Sequence, residues 1–275
     1  MIKSKIVCIT VILLIAGLLV YRFSQPTFNN LKYSTWIWDA SILDKKNVID
    51  EIKNYNINRI YLFINVNEPS SILHNRIKLL VDNNIEVELL IGDPYYLSQN
   101  SDKVLYELYE YIEAYNNSVD EVYKVNTIHV DVEPHANKNW KKRQVKLTLQ
   151  YQIFLEKFVD LFENYRINAD IPFWYDEVVY NNNYGEGLLF DFVLDMVDGI
   201  TIMAYNDDPE FIKTVIEYEM SKTDKIEIAV EYGDIKEINT TFYDEGSEFM
   251  FEQIENLYDT FNKCQYAIHE IIVLE

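Results

Sequence analysis

The chain has 275 residues and a formal net charge of −21, with 24 basic against 45 acidic residues, 15% aromatics and only 7 Gly and 6 Pro. That length suits one large α/β domain with a substantial core, and the scarcity of Gly and Pro excludes collagen-like and disordered chains. Such an excess of acid disfavours nucleic acid and anionic lipid as partners of the main body and suits a neutral or cationic ligand.

Residues 1–25 read as a targeting segment. Lys3 and Lys5 precede an apolar run over 6–20, Tyr21 and Phe23 extend it toward an interface, and no small-residue cleavage site follows. The expectation is an uncleaved signal anchor in the cell membrane, with a cleaved signal peptide and secretion as the alternative. The positive charges on its N-terminal side place the remainder outside the cytoplasm. Residues 26–32 form a short polar connector and residues 33–275 the folded domain. The two cysteines, Cys8 and Cys264, give no disulfide framework, and no CxxC or HxxxH spacing marks a metal. No cofactor is expected.

From residue 33 onward, apolar strand-like runs alternate with amphipathic helical runs. The first strand is expected over 34–39 and is followed by a helix over 44–54, where Val48, Ile49 and Ile52 recur at helical spacing. A strand over 59–66 precedes a helix over 70–83, with Ser70 and Ser71 as its caps. A strand over 86–91 breaks at Gly92-Asp93-Pro94 and leads to a helix over 101–115. The fourth strand, 127–133, leads to a long helix over 141–165. A fifth strand over 168–175 is followed by an Asn-rich loop at 181–183 and a helix over 188–196. The sixth, 199–205, runs into Asp207-Asp208-Pro209, which opens the next helix with acids at its positive end. A strand over 227–231, a loop over 232–246, a helix over 247–263 and a last strand over 266–273 complete the domain. Units of roughly thirty residues match a right-handed βαβ repeat. The expected fold is a closed (β/α)8 barrel preceded by the N-terminal hydrophobic anchor. The Gly-rich phosphate loop of an open doubly wound sheet does not follow the first strand.

In such barrels chemistry sits at the C-terminal ends of the strands. There the sequence gathers Trp38 and Asp39, Asn65, Asp93, Asp131 with Glu133 and His135, Trp174 and Asp176, Tyr205 with Asn206 and Asp207, Glu231, and His269 with Glu270. All are expected around one mouth. Aromatic rings beside carboxylates suit a carbohydrate groove, the rings stacking on apolar sugar faces and the acids binding hydroxyls.

The most telling stretch is 126–135, Asn-Thr-Ile-His-Val-Asp-Val-Glu-Pro-His. Strand alternation places His129, Asp131, Glu133 and His135 on one face and Ile128, Val130 and Val132 on the other. Asp131 and Glu133, about 6–7 Å apart along the strand, raise each other's proton affinity. Breaking a glycosidic bond needs such a pair. One carboxyl stays protonated near neutral pH, and a second negative group supports an oxocarbenium-like transition state. The structural alternative is a hydrogen-bonded acid pair that only stabilises the barrel interior.

These residues resemble a known family. His129-Val-Asp131-Val-Glu133 is similar to the latter part of the D-x-D-x-E signature of family 18 glycoside hydrolases, on the fourth strand. Met203-Ala-Tyr205-Asn-Asp207 resembles that family's sixth-strand M-x-Y-[DN] motif. The resemblance, which spans most of the barrel, implies a chitinase or N-acetylglucosaminidase type of enzyme. Glu133 would be the general acid, Asp131 would orient the substrate's N-acetyl group as an internal nucleophile, and Tyr205 would hydrogen-bond that group. The chain departs from the pattern where His129 stands for the first Asp of the triplet and Asn126-Thr127 for an Asp-Gly pair. A second resemblance is to clan A retaining glycosidases. Val132-Glu133-Pro134 is similar to their N-E-P motif, with Val132 in place of the Asn, and Ala229-Val-Glu231-Tyr-Gly233 is similar to their seventh-strand nucleophile segment. That scheme implies Glu133 as acid/base and Glu231 as nucleophile, with carboxyls about 5–5.5 Å apart.

The combined expectation is a membrane-tethered, extracytoplasmic glycoside hydrolase that cleaves a cell-surface or cell-wall polysaccharide. Two other readings stay open. One is a non-catalytic glycan-binding barrel, which the unusual His129 keeps in view. The other is a metal-dependent hydrolase or deacetylase built on the Asp, Glu and His side chains of the rim.

Overall fold

The computed structural model describes residues 31–98 and 101–271. The expected anchor, most of the connector, Cys8 and the last residues of the expected eighth strand lie outside the described residues. Among the described residues no helix is long and apolar enough to cross a membrane.

Eight parallel strands close into a barrel. They are β1 (Tyr33–Ile37), β2 (Ile57–Phe63), β3 (Glu86–Ile91), β4 (Thr127–Val130), β5 (Arg166–Pro172), β6 (Gly199–Met203), β7 (Ile226–Glu231) and β8 (Gln265–His269). The cylinder closes where β8 pairs with β1, through Tyr33 with Tyr266, Ser34 with Ala267 and Thr35 with Ile268. The helices are α1 (Val48–Asn54), α2 (Ser70–Val81), α3 (Ser101–Ser118), α4 (Trp140–Leu161), α5 (Leu189–Met196), α6 (Pro209–Val215), α7 (Glu217–Lys222) and α8 (Ser247–Thr260). Alternation along each strand sends one row of side chains out to the helices. Ile60, Leu62, Ile128, Val130, Ile200 and Ile202 are among that row and are almost fully buried, each contributing about 1.5–3 kcal/mol of apolar burial.

Four local features differ from the sequence expectation. β4 stops at Val130, because Pro134 starts a single 3-10 turn (Pro134–Ala136) and ends the ladder. Asp131 and Glu133 therefore stand on the rim beyond the strand, although Asp131 N still donates to Ile91 O at 2.7 Å. Ser70 and Ser71 cap nothing, since α2 begins after Pro69 with no side-chain cap. The expected single helix after β6 is two, with the break at Ile216 (φ −106°, ψ 7°). Asp208 does cap α6, its carboxylate accepting from Glu210 N at 2.9 Å. The Asn-rich loop folds into a hairpin, Val179–Asn182 paired with Gly185–Leu188, and Gly185 takes the left-handed turn position at φ 96°.

The inward row mixes aromatic and charged groups. Trp36, Tyr61, Leu90, Ala229 and Ala267 form a buried cluster, with Trp38, Phe63 and Tyr205 packed on it. Arg59 lies 3.3 Å from Glu88 and 3.9 Å from Glu227. Glu227 accepts from Ser34 at 2.6 Å and from Tyr61. This pairing is what lets charges sit inside a barrel, since an isolated buried ion would be far too costly.

Candidate active site

The C-terminal rim encloses a hollow of about 290 Å³ lined by Trp38, Gly92, Asp131, Glu133, Met203, Tyr205 and His269. These residues follow β1, β3, β4 and β6 or end β6 and β8, so the barrel converges them from distant parts of the chain. Gly92 is a close-approach position. A Cβ there would meet the Trp38 ring at 2.6 Å and the Asp131 carbonyl oxygen at 2.9 Å. Trp38 packs against Phe63 with ring centroids 5.5 Å apart and offers a wall to the hollow.

Asp131 is half-buried, with Oδ1 sealed from solvent and lacking any hydrogen-bond partner. Burial raises its proton affinity well above the usual carboxylate range, and the charges of Asp170 and Glu133 raise it further against the opposing His129. Glu133 keeps about a third of its side chain in contact with solvent, 31%. Its proton affinity is raised by burial and by Asp170, with His269 opposing. A carboxyl so placed carries a proton to higher pH and faces an open space, as a general acid must. The phenol of Tyr205 is also pushed up, by burial and then by Glu231, Asp170, Asp131 and Glu133, so it is a neutral donor in the same hollow.

His135 adjoins the pair, with Nε2 3.7 Å from Glu133 Oε1. It packs edge-on against Trp174 at 5.1 Å and Tyr175 at 6.1 Å. Burial drives its pKa down to about 4, so it is neutral near pH 7. His269 Nδ1 donates to Glu231 Oε2 at 2.7 Å, and Trp38 Nε1 lies 3.3 Å from His269 Nε2, which fits the tautomer protonated at Nδ1. Burial opposes a charge on His269, but the hydrogen bond and charge of Glu231 outweigh it and raise its proton affinity.

Beneath the hollow, His129 is fully buried with both ring nitrogens on carboxylates, Nδ1 2.9 Å from Glu88 and Nε2 2.5 Å from Asp170. Burial disfavours its charge, yet Asp170 and Glu88 push its pKa up to about 10. His129 thus shares the inward face with Asp131, as alternation requires, but lies below the hollow.

Of the rim residues expected from sequence, the structure brings together Trp38, Asp131, Glu133, Tyr205 and His269. Others do not line the hollow. Asp39, Asn65, Asp93 and Asn206 close local turns, their side-chain oxygens accepting from Ser41, Asn67, Tyr95 and Asp208 N–H groups two residues on. Trp174 and Asp176 line a neighbouring groove of about 590 Å³ with Phe173, Glu177 and Tyr218. His135 backs Glu133 instead of facing the hollow. Glu231, the nucleophile of the double-displacement scheme, does not line the hollow either. Its side chain is only 4% exposed, with Oε2 accepting from His269 and Oε1 from Gly233 N at 2.5 Å. Sequence reasoning missed Gly92 and Asp170 and quoted Met203 only as part of a motif. Among the described residues no group of three or more His, Cys, Asp or Glu side chains could hold a metal ion.

No family model matches the sequence, and no curated protein does. Solved structures share the fold. A chitinase from Bacteroides thetaiotaomicron is 13% identical, with 86% of this chain and 89% of that chain covered and a TM-score of 0.54. A family 18 chitinase from Pseudoalteromonas aurantia is 9% identical, with 86% and 93% covered and a TM-score of 0.52. The spore cortex-lytic enzyme SleL of Bacillus megaterium QM B1551 is 11% identical, with 90% and 71% covered and a TM-score of 0.52.

Proposed function

We propose that this chain, whose barrel is similar in fold to those of chitinases, is a glycoside hydrolase for a glycan containing N-acetylated amino sugars. The carrying observation is the pairing of Glu133, partly exposed with raised proton affinity, and Asp131, half-buried with one sealed and unpartnered oxygen, on the wall of one hollow at the C-terminal rim. Glu133 protonates the glycosidic oxygen as the bond to the anomeric carbon breaks. Asp131 accepts the N–H of the 2-acetamido group and turns its carbonyl oxygen toward the anomeric carbon, where it attacks. Tyr205 donates to the same group, and Trp38 supports the sugar ring. The Glu133 carboxylate then takes a proton from the water that opens the cyclic intermediate, so the acid is restored.

The similarity in fold to chitinases and to a cortex-lytic enzyme supports a cell-wall or cell-surface polysaccharide as the substrate class. The charged residues ahead of the apolar run support a membrane tether with the barrel outside the cytoplasm. Cleavage of the barrel from intact cells by added protease tests that location, and protection of the barrel would contradict it.

Activity is tested by incubating the protein with N-acetylglucosamine oligomers and purified wall glycan and measuring released reducing ends. The expected result is release by the wild type and loss with Glu133→Gln. Tight oligosaccharide binding by calorimetry without any release by the wild type would establish a binding barrel instead.

A further inference from the structure

The barrel interior under the hollow holds an anion that the proposed chemistry leaves without a role. Asp170 faces inward on β5, one step past the register pair Val130 with Ala169, which sets it level with Asp131. Its Oδ2 accepts from Trp36 Nε1 at 2.9 Å and its Oδ1 from His129 Nε2 at 2.5 Å. His129 is itself held from the other side by Glu88, which Arg59 approaches at 3.3 Å. Tyr61 stacks on the imidazole with centroids 3.7 Å apart. An imidazole with carboxylates on both nitrogens donates to both only as the cation. The chain thus builds a fixed ion pair, Asp170 with His129, into the floor of its site.

We propose that Asp170 is a positioning residue for the reaction, its pinned negative charge holding Glu133 in the proton-donating form and keeping Asp131 from ionising fully beside it. The inference rests on the reading of Glu133 as the acid. A like charge in a water-poor interior disfavours ionisation of its neighbours, and Asp170 is the largest contribution after burial at both Asp131 and Glu133. The other groups around Asp170 are accounted for. His129, with Glu88 and Arg59 behind it, lies below and opposes the effect at Asp131. His269, paired to Glu231, comes from β8 and opposes it at Glu133. Tyr205 from the β6 rim and Tyr151 from α4 are phenols whose ionisation Asp170 suppresses in turn. The imidazolium pins Asp170, and at Glu133 the charge of Asp170 adds to the effect of burial. This explains why a His at position 129 is compatible with an acid at 133.

The test is the pH dependence of kcat/KM on an N-acetylglucosamine oligomer for the wild type and Asp170→Asn. The variant should keep turnover at acidic pH while its basic limb moves down by about one pH unit. A purely structural Asp170 would lower activity at every pH without moving the limb, and that result, with native circular dichroism, would overturn the proposal. If Asp170→Asn does not fold, the paired variant D170N/H129Q removes both charges and keeps a hydrogen bond, and a shift in the same direction, smaller because the opposing imidazolium goes with the anion, is expected of it. Carbon-13 carboxyl titration of Glu133 needs no turnover. A Glu133 signal that titrates in the ordinary carboxylate range in the wild type overturns the proposal outright. Absence of turnover with a Glu133 titration that is raised in the wild type and falls in Asp170→Asn would instead sink the hydrolase reading and leave the electrostatic role of Asp170 standing.

Discussion

His269 Nδ1 lies 2.7 Å from Glu231 Oε2, and Glu231 is sealed by the further bond from Gly233 N. The carboxylate holds a histidine of the hollow without lining the hollow itself. That arrangement separates two schemes that the sequence alone leaves side by side.

Glu231→Gln should retain turnover. The loss expected is the effect of a loosened His269, well below the roughly 10²–10⁴-fold assigned to a general acid, and the missing charged hydrogen bond should cost about 1.5–3 kcal/mol of stability. Steady-state kinetics and urea unfolding measure the two effects. A collapse of turnover equal to that of Glu133→Gln, with rescue by azide, would restore Glu231 as the nucleophile.

Asp131→Asn should abolish substrate-assisted turnover yet stabilise the fold at neutral pH. Folding raises the proton affinity of Asp131. The folded state is therefore least penalised below the ordinary carboxylate range and loses stability as pH rises through the raised value. Replacing the acid removes that loss, a gain of about 1–3 kcal/mol at pH 8 that fades toward about pH 4. Thermal unfolding of both proteins across this range checks the sign.

His129→Gln should act in the opposite sense. Its pKa is raised from 6.5 to about 10, so its contribution is complete below about pH 6.5 and is lost as pH rises through about 10. Removing the cation leaves Asp170 and Glu88 without their shared partner, at a cost of about 3–5 kcal/mol near pH 7. The difference from wild type should shrink above about pH 10 in urea titrations.

Gly92→Ala should displace Trp38. The added methyl meets that ring at 2.6 Å and backbone oxygen at 2.9 Å, so overpacking of about 1–3 kcal/mol is expected. Because Trp38 walls the hollow, KM should rise more than kcat falls.

The barrel was legible because each strand is an apolar run between helical repeats of the right length. Its eight strands fall within a few residues of their expected positions. The expected ends overrun the strands where the chain stays extended past the ladder, as at Asp39 and Glu133. Part of the site was legible too, since Glu133 and Asp131 sit two apart at a strand end, and position there decides what they face. Asp39, Asn65, Asp93 and Asn206 misled because the residue types that bind sugar hydroxyls also close Asx turns. Only coordinates distinguish those uses. Asp170 left a trace, a charge in the alternating stretch Asn168-Ala-Asp170-Ile-Pro172, but its partner His129 is 41 positions away. Gly92 reads in the sequence only as a strand breaker, since its role depends on a ring that follows β1.

The most direct measurement is the leaving-group dependence of Glu133→Gln. On an unactivated N-acetylglucosamine oligomer the variant should lose about 10²–10⁴-fold in kcat/KM, whereas on the dinitrophenyl glycoside, whose leaving group needs no proton, most of the activity should remain. Equal losses on both substrates, or no loss on either, would contradict the assignment of Glu133 as the proton donor.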